Sequence, residues 1–297
     1  MTDNIRASLL MVATMAGFAV EDLLIKQLAA TLPVGQILVI LGLGGTVFFA
    51  LVSISLRQPI WSSVLLSRPV LLRNGAEMVS TMAGVTALTL IPLSMASSIL
   101  QAAPILVTLG AAVVLREKVG WRRWSAILVG IFGVMLIIRP GAEGFNAAVW
   151  LAVVAVIALA FRDLATRAAS TAISTLQLAF WGYGLSVPSG LILSLLRAQP
   201  WHWPGTNAVW MLAAAQVLGI VFYYCLTLAL RLGESSVVVP FRYSRLIFAL
   251  ALGVGVLGET VDGLMLLGLL LVTASGLYTL LREARLRRAS PASSPRL

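Results

Sequence analysis

Ten apolar segments, most of them near the length needed to cross a bilayer, follow one another with little between them. They run over residues 5–28, 34–56, 70–91, 93–115, 124–138, 147–166, 175–196, 206–230, 235–257 and 261–281. At ~1.5 Å of rise per residue, about 20 helical residues cross ~30 Å of hydrocarbon. In that medium a segment must satisfy its own backbone hydrogen bonds, so runs this long predict helices. Hydrophobic residues make up 60% of the 297 and charged residues 11%, and the mean hydropathy is +0.99. A soluble core cannot absorb so much apolar surface. The segment at 124–138 is the shortest, and it reaches back to Val119 if Arg122 and Arg123 snorkel to the interface. The first segment is too long for a signal-peptide core and is read as a retained first helix.

The net charge of +10 raises the question of nucleic acid, and the placement of the charges answers it. With ten spans, 16 of the 21 Lys and Arg residues fall on one side of the membrane. Only Lys26, Arg139 and Arg197 fall on the other, while Arg242 and Arg245 lie inside the ninth segment. This asymmetry is the positive-inside pattern, which predicts a multi-pass protein of the inner (plasma) membrane with both termini cytoplasmic. Lipid is then the partner the basic loops meet, and no nucleic acid is called for. With one cysteine (Cys225) and one histidine (His202), the chain lacks ligands for a disulfide, zinc or haem site. No metal or cofactor is expected. The lysines are Lys26 and Lys118 alone, with no phosphate-cradling G-x-x-x-x-G-K motif, so an ATP-driven pump within the chain is not expected.

The chain also repeats itself. Asp22-Leu23 with Lys26 is echoed by Asp163-Leu164 with Arg167, Gln36 by Gln177, and Gln58-Pro59 by Gln199-Pro200. Leu115-Arg116-Glu117 recurs as Leu257-Gly258-Glu259. The shift nearly halves the chain: residues 1–142 form one repeat, 143–285 a second, and 286–297 a basic, Ser/Pro-rich tail expected to be disordered. Five spans per half is an odd number, so the second copy should sit upside down relative to the first. Inverted repeats are the architecture of alternating-access carriers.

Charges inside spans are costly and are functional candidates. Arg242 and Arg245 share a helix face just after Pro240, which can kink the helix and free carbonyls. They form either a site for a substrate carboxylate or a structural ion pair. Glu77, in the third segment with Arg73 and Asn74, is the expected counter-charge to Arg242. If it alternates between an arginine and a proton, it would make the proton a coupling ion. Asp22 with Lys26 and Asp163 with Arg167 are i,i+4 pairs at matching places, either self-neutralised helix ends or a pair of gates. Gln101, Trp181, Tyr223 and Tyr224 are candidates for contact with a mostly apolar solute bearing a polar head, although such residues also serve helix–helix contacts.

Pro104, Leu115-x-Glu117, Gly130-x-x-Gly133 and Arg139-Pro140, followed by Pro240, Leu257-Gly258-Glu259, Gly268 and Gly276, resemble in order and spacing the two EamA domains of the drug/metabolite transporter superfamily. The resemblance covers about residues 5–282. It implies an all-α integral membrane fold of ten transmembrane helices in two inverted five-helix EamA repeats. Its cavity would lie near the third, fourth, eighth and ninth helices, and it would carry small metabolites. Members resembling this chain include exporters of aromatic and other neutral amino acids, so the expectation is an exporter of an amino acid or another carboxylate-bearing solute. The alternative is a membrane enzyme, channel or scramblase acting on lipid or isoprenoid, for which Glu21-Asp22 is the only acidic pair on offer. Nothing in the sequence fixes an oligomeric state.

Overall fold

The computed structural model describes residues 3–113, 120–141, 145–168 and 174–289, without the side chains of Arg167, Ala168, Thr175, Ser235, Ser236 and 283–289. Glu117 and residues 290–297 therefore lie outside it. All regular structure among the described residues is helical. The helices are α1 (Asp3–Leu28), α2 (Val34–Ser55), α3 (Arg68–Leu90), α4 (Leu93–Leu100), α5 (Ala103–Val113), α6 (Trp121–Ile138), α7 (Val149–Ala168), α8 (Thr175–Arg197), α9 (Thr206–Leu232), α10 (Ser235–Val238), α11 (Ser244–Gly255) and α12 (Gly263–Ala289). A 3-10 turn at Ser63–Leu66 precedes α3, and another at Val239–Tyr243 joins α10 to α11.

Eight spans are long and apolar enough to cross a membrane, with α4 and α5 counted together as Leu93–Val113. The other two of the ten fall short for chemical reasons. The third, α3, carries Arg68, Arg73 and Glu77. The ninth, α10 to α11, is broken where Pro240 removes a backbone donor. The fourth span breaks as well, at Gln101–Ala102, just before Pro104. The tail begins later than its composition suggests, since α12 runs on to Ala289. Arginines are favourable at a helix C-terminus, which offsets the low apolar content there.

The main packing partners are α1 with α9, α3 with α7, α2 with α8, α6 with α12, and α4 with α11, while α1 also meets α11 and α7 meets α4 and α5. Two crossings are set by glycine. A Cβ on Gly190 of α8 would lie 2.5 Å from the Gly35 carbonyl oxygen of α2, and one on Gly268 of α12 would lie 2.6 Å from the Gly133 oxygen of α6. Without side chains the backbones meet directly, which is how helices associate in lipid. Leu72, Leu195 and Trp210 point outward, each at least 70% exposed, as a lipid-facing surface requires.

Polar ties are unevenly placed. At the end where α1 finishes, Lys26 Nζ donates to the carbonyls of Leu88 (3.0 Å) and Ile91 (2.5 Å). The Glu259 carboxylate accepts from the backbone N–H of Leu93, from that of Ser94 at 3.0 Å, and from Ser94 Oγ at 2.6 Å. The Gln36 side chain pairs with both backbone groups of His202, and Asn146 Nδ2 donates to the Leu90 carbonyl. Arg139 grips Asp262 with two hydrogen bonds, and these, with backbone N–H bonds, hold the Asp262 carboxyl down at about 2. At the opposite end, among the described residues, Trp181 Nε1 donates to the Ile60 carbonyl (3.3 Å) and the Glu234 N–H to Asn4 Oδ1 (2.8 Å). Glu259 supplies an anion to the N-terminus of α4. Glu259→Gln keeps the shape but loses the charge, and should lower thermal stability by roughly 1 kcal/mol. An unchanged unfolding midpoint in detergent would remove this role.

Candidate functional site

Four helical spans bring eight ionisable side chains toward the middle of the bundle: Glu21 and Asp22 from α1, Arg73 and Glu77 from α3, Arg162 and Asp163 from α7, and Arg242 and Arg245 from the ninth span. Four are acidic and four are arginines, so the set is neutral as a whole. Most are paired. Asp22 accepts from Arg245 at 2.5 Å, linking α1 to α11, with the Arg245 guanidinium 5.5 Å from the Phe18 ring. Glu77 lies between Arg162 at 3.2 Å and Arg73 at 3.6 Å. Asp163 accepts from its neighbour Arg162 at 2.8 Å. Arg73 Nη1 also donates to Asn74 Oδ1 at 3.0 Å.

These contacts correct several expectations. Glu77 partners Arg162 and Arg73, not Arg242 or Arg245, because α3 packs on α7 and not on the ninth span. Asp22 does not pair with Lys26: α11 brings a guanidinium to the carboxylate, and Lys26 caps the C-terminal carbonyls of α3 instead. Asp163 uses Arg162, and the Arg167 side chain lies outside the described residues. Trp181 stacks on Trp61 at 5.6 Å and is bonded to the Ile60 carbonyl, so it fastens the loop after α2. Gln177, another of the polar residues within spans, forms a capping box with Ser174 at the start of α8.

Arg242 differs from the other arginines. It is solvent-accessible although it sits well inside its span, and among the described residues its guanidinium makes no hydrogen bond or ion pair. Its backbone carbonyl accepts from Gln101 Nε2 at 2.9 Å. Gln101 and Arg242 are 141 residues apart, the shift of the sequence repeat, and each lies at the break of its span. The two discontinuous spans therefore touch at equivalent points. Broken spans leave backbone groups free beside the cluster, an arrangement tolerated where backbone lines a cavity.

A cavity of about 870 Å³ opens at the end opposite the Arg139–Asp262 pair, between α2, α8 and α9. Its walls include Phe48, Phe49, Tyr223 and Tyr224, with Gln58, Ser174 and Arg231 at its polar end. Tyr223 and Tyr224 both line this cavity, and Tyr224 is 66% exposed. Phe49, Tyr183 and Tyr223 form an aromatic cluster with ring centroids 5.5–6.5 Å apart. The phenol of Tyr183 and the Glu21 carboxylate both approach Gly219 of α9. Sequence reasoning passed over Tyr183 and gave Glu21 no site role. The signals were in the chain: a tyrosine in mid-span, and a second carboxylate beside Asp22.

A multi-span helical bundle that hides a balanced set of charges, and opens an aromatic cavity at one end, has the build of a polytopic membrane protein with an internal site for a small molecule. Residues 146–281 match the model of the EamA-like transporter family. The match falls on the second of the two halves that the motifs marked out, and it covers a little under half of the chain. It is 30% identical over 186 residues to a riboflavin transporter of Vibrio cholerae, a match spanning 62% of this chain and 61% of that protein's length. It is 26% identical over 269 residues to the pseudopaline exporter CntI of Pseudomonas aeruginosa, covering 87% of this chain and 90% of the relative. It is also 22% identical over 198 residues to an S-adenosylmethionine uptake transporter of Rickettsia conorii, covering 67% and 66%. One crystal structure shares the fold at a TM-score of 0.58 and 17% identity, covering 94% of this chain and 99% of that one.

Proposed function

We propose that the chain is a secondary carrier of the drug/metabolite type, built as two inverted five-helix repeats (residues 1–142 and 143–285), that moves a small organic solute across the inner membrane by alternating access. The observation that carries this reading is the pairing of the spans. Exchanging each span for the one five places along turns the first-with-eighth contact into the sixth-with-third. It maps the second–seventh, fourth–ninth and fifth–tenth contacts onto themselves. That is the pattern of a pseudo-two-fold axis between halves, and the Gln101–Arg242 contact lies where such an axis would pass. The tied end and the cavity-bearing end then describe one of two access states.

The positive-inside pattern puts the cavity on the cytoplasmic side, from which an exporter loads. At about 870 Å³ the cavity is in the upper part of the ~300–1,000 Å³ range of sites for drug-sized ligands. Its aromatic walls favour a ring-bearing metabolite over a simple amino acid, and Arg242, without a partner among the described residues, favours one bearing a carboxylate or phosphate. Gln101, Tyr223 and Tyr224 complete the proposed contact set. Arg245, Glu77 and Asn74 belong to the charged cluster of the bundle, Asp22 and Lys26 hold closures between spans, and Asp163 steadies Arg162 on its own helix.

The test is counterflow in proteoliposomes with labelled riboflavin, S-adenosylmethionine and aromatic amino acids as probes. A carrier accelerates labelled uptake when unlabelled solute is trapped inside, whereas a channel does not. Absence of counterflow with every probe tells against the reading. For an anionic probe that exchanges, Arg242→Gln should cut transport at least ~10-fold, corresponding to ~1.4 kcal/mol of lost charge-assisted bonding. Arg242→Lys should recover part of it. Equal transport by Arg242→Gln and wild type would take Arg242 out of the site.

A further inference from the structure

We propose that Glu21 is the group that binds and releases the coupling proton. The assignment rests on the carrier reading above and adds to it the residue through which a proton gradient acts. The charged cluster has two members without partners, Arg242 and Glu21. Asp22, Glu77 and Asp163 each hold an arginine. Among the described residues, the Glu21 carboxylate makes no hydrogen bond and no ion pair, although it lies in the last third of α1, well inside the membrane.

The groups facing Glu21 are few. On its own helix the neighbour is Asp22, already held by Arg245 of α11. From α8 comes Tyr183, whose phenol shares the space over Gly219 with the Glu21 carboxylate. At Gly219, α9 presents bare backbone, and Tyr223 of α9 stands behind Tyr183 with ring centroids 6.5 Å apart. Across the bundle, α3 offers Arg73 and Glu77, which are paired to each other, and Glu77 is also held by Arg162. The 3-10 turn at Val239–Tyr243 carries Arg242, with which the carboxylate makes no hydrogen bond or ion pair.

An unpaired charge at this depth is costly. An arginine cannot discard that cost, because it does not lose its proton in proteins. A carboxylate can, by taking one proton to become the neutral acid. The Asp22 carboxylate next door is already held by Arg245, so the proposed exchange is confined to one group. In one access state the Glu21 carboxylate takes a proton from one compartment. After the bundle rocks, it releases that proton to the other and returns to the carboxylate. Tyr183, between Glu21 and the aromatic cavity, is placed to sense which form is present, so that the solute and the proton share one gate. Glu77, the carboxylate that sequence suggested for this role, is held on both sides by arginine.

The first experiment needs no solute. Infrared difference spectra of the purified full chain in lipid nanodiscs, recorded between pH 5 and pH 9, should show a protonated-carboxyl band that appears as pH falls. Glu21→Gln should lose it, and Glu21→Asp should keep it at a shifted frequency. A band unchanged by Glu21→Gln, or absent from wild type, overturns the proposal. Where Glu21→Gln does not fold, the Glu21→Asp frequency shift decides in its place, and an unshifted band sinks the assignment. The second experiment uses whichever probe shows counterflow. Glu21→Gln should retain counterflow at equal pH and lose accumulation driven by a pH gradient. Accumulation equal to wild type overturns the assignment. Failure of counterflow in wild type would instead count against the carrier reading, while the infrared result stands separately.

Discussion

Gly190→Leu is expected to leave no stably folded protein. The Gly190 position is walled by the Gly35 carbonyl oxygen at 2.5 Å, a Val39 methyl at 2.8 Å and the Leu38 Cβ at 3.0 Å, as measured to an added Cβ. A side-chain tip could move aside, but a backbone oxygen on a continuous helix cannot. The α2–α8 crossing would have to open, and with it the buried contacts of Val34, Leu38 and Leu193. Overpacking a well-fitted core costs about 1–3 kcal/mol even when neighbours can adjust, and losing the crossing adds to that. Against a total stability of ~5–15 kcal/mol this is a large fraction. Size-exclusion profiles and thermal unfolding in detergent provide the measurement. Gly182→Leu is the control, because nothing lies within 4 Å of a Cβ at that position. A Gly190→Leu protein that is monodisperse and unfolds at the wild-type temperature would show that the crossing is not as tight as the structure has it.

The second large effect concerns Asp22 and Arg245. Either Asp22→Leu or Arg245→Met should destabilise the protein by about 3 kcal/mol, the low end for a buried pair, since both side chains keep some exposure. The double variant should recover most of the loss, because two apolar side chains in lipid-like surroundings leave no charge stranded. Asp22→Leu should be the milder single change, since Glu21 is next in sequence and can turn toward the orphaned guanidinium. Arg245→Met has no such substitute. The double-mutant cycle is read from unfolding midpoints, with a coupling term well above the error of additivity. Strict additivity of the two single changes would mean that the ion pair does not join α1 to α11.

Much of the architecture was legible because a bilayer imposes a one-dimensional rule. Span lengths follow from apolar run length, and the first two helices, at Asp3–Leu28 and Val34–Ser55, differ from the sequence reading by only a residue or two at either end. The break at Pro240 was legible because proline cannot donate. The break in the fourth span was not foreseen, since Pro104 near a helix start is also compatible with an unbroken span. The sequence also misassigned ionic partners. It paired Asp22 with Lys26 along one helix, because i,i+4 spacing is what a chain displays, and Glu77 with Arg242, because their depths in the spans match. Neither pair is found: Asp22 holds Arg245, and Glu77 lies between Arg162 and Arg73.

By itself the sequence determined that the chain holds ten apolar segments, that its basic residues gather in alternate connections between them, and that its halves echo each other. These follow from hydrophobicity and charge counted along the chain, and water and lipid act on them residue by residue. Which carboxylate meets which arginine, that Arg242 and Glu21 have no partner among the described residues, and that an aromatic cavity opens between α2, α8 and α9 were decided only by the tertiary structure. Each depends on helices far apart in sequence being brought within a few ångströms, and that distance is set by packing at crossings such as Gly35–Gly190 and Gly133–Gly268.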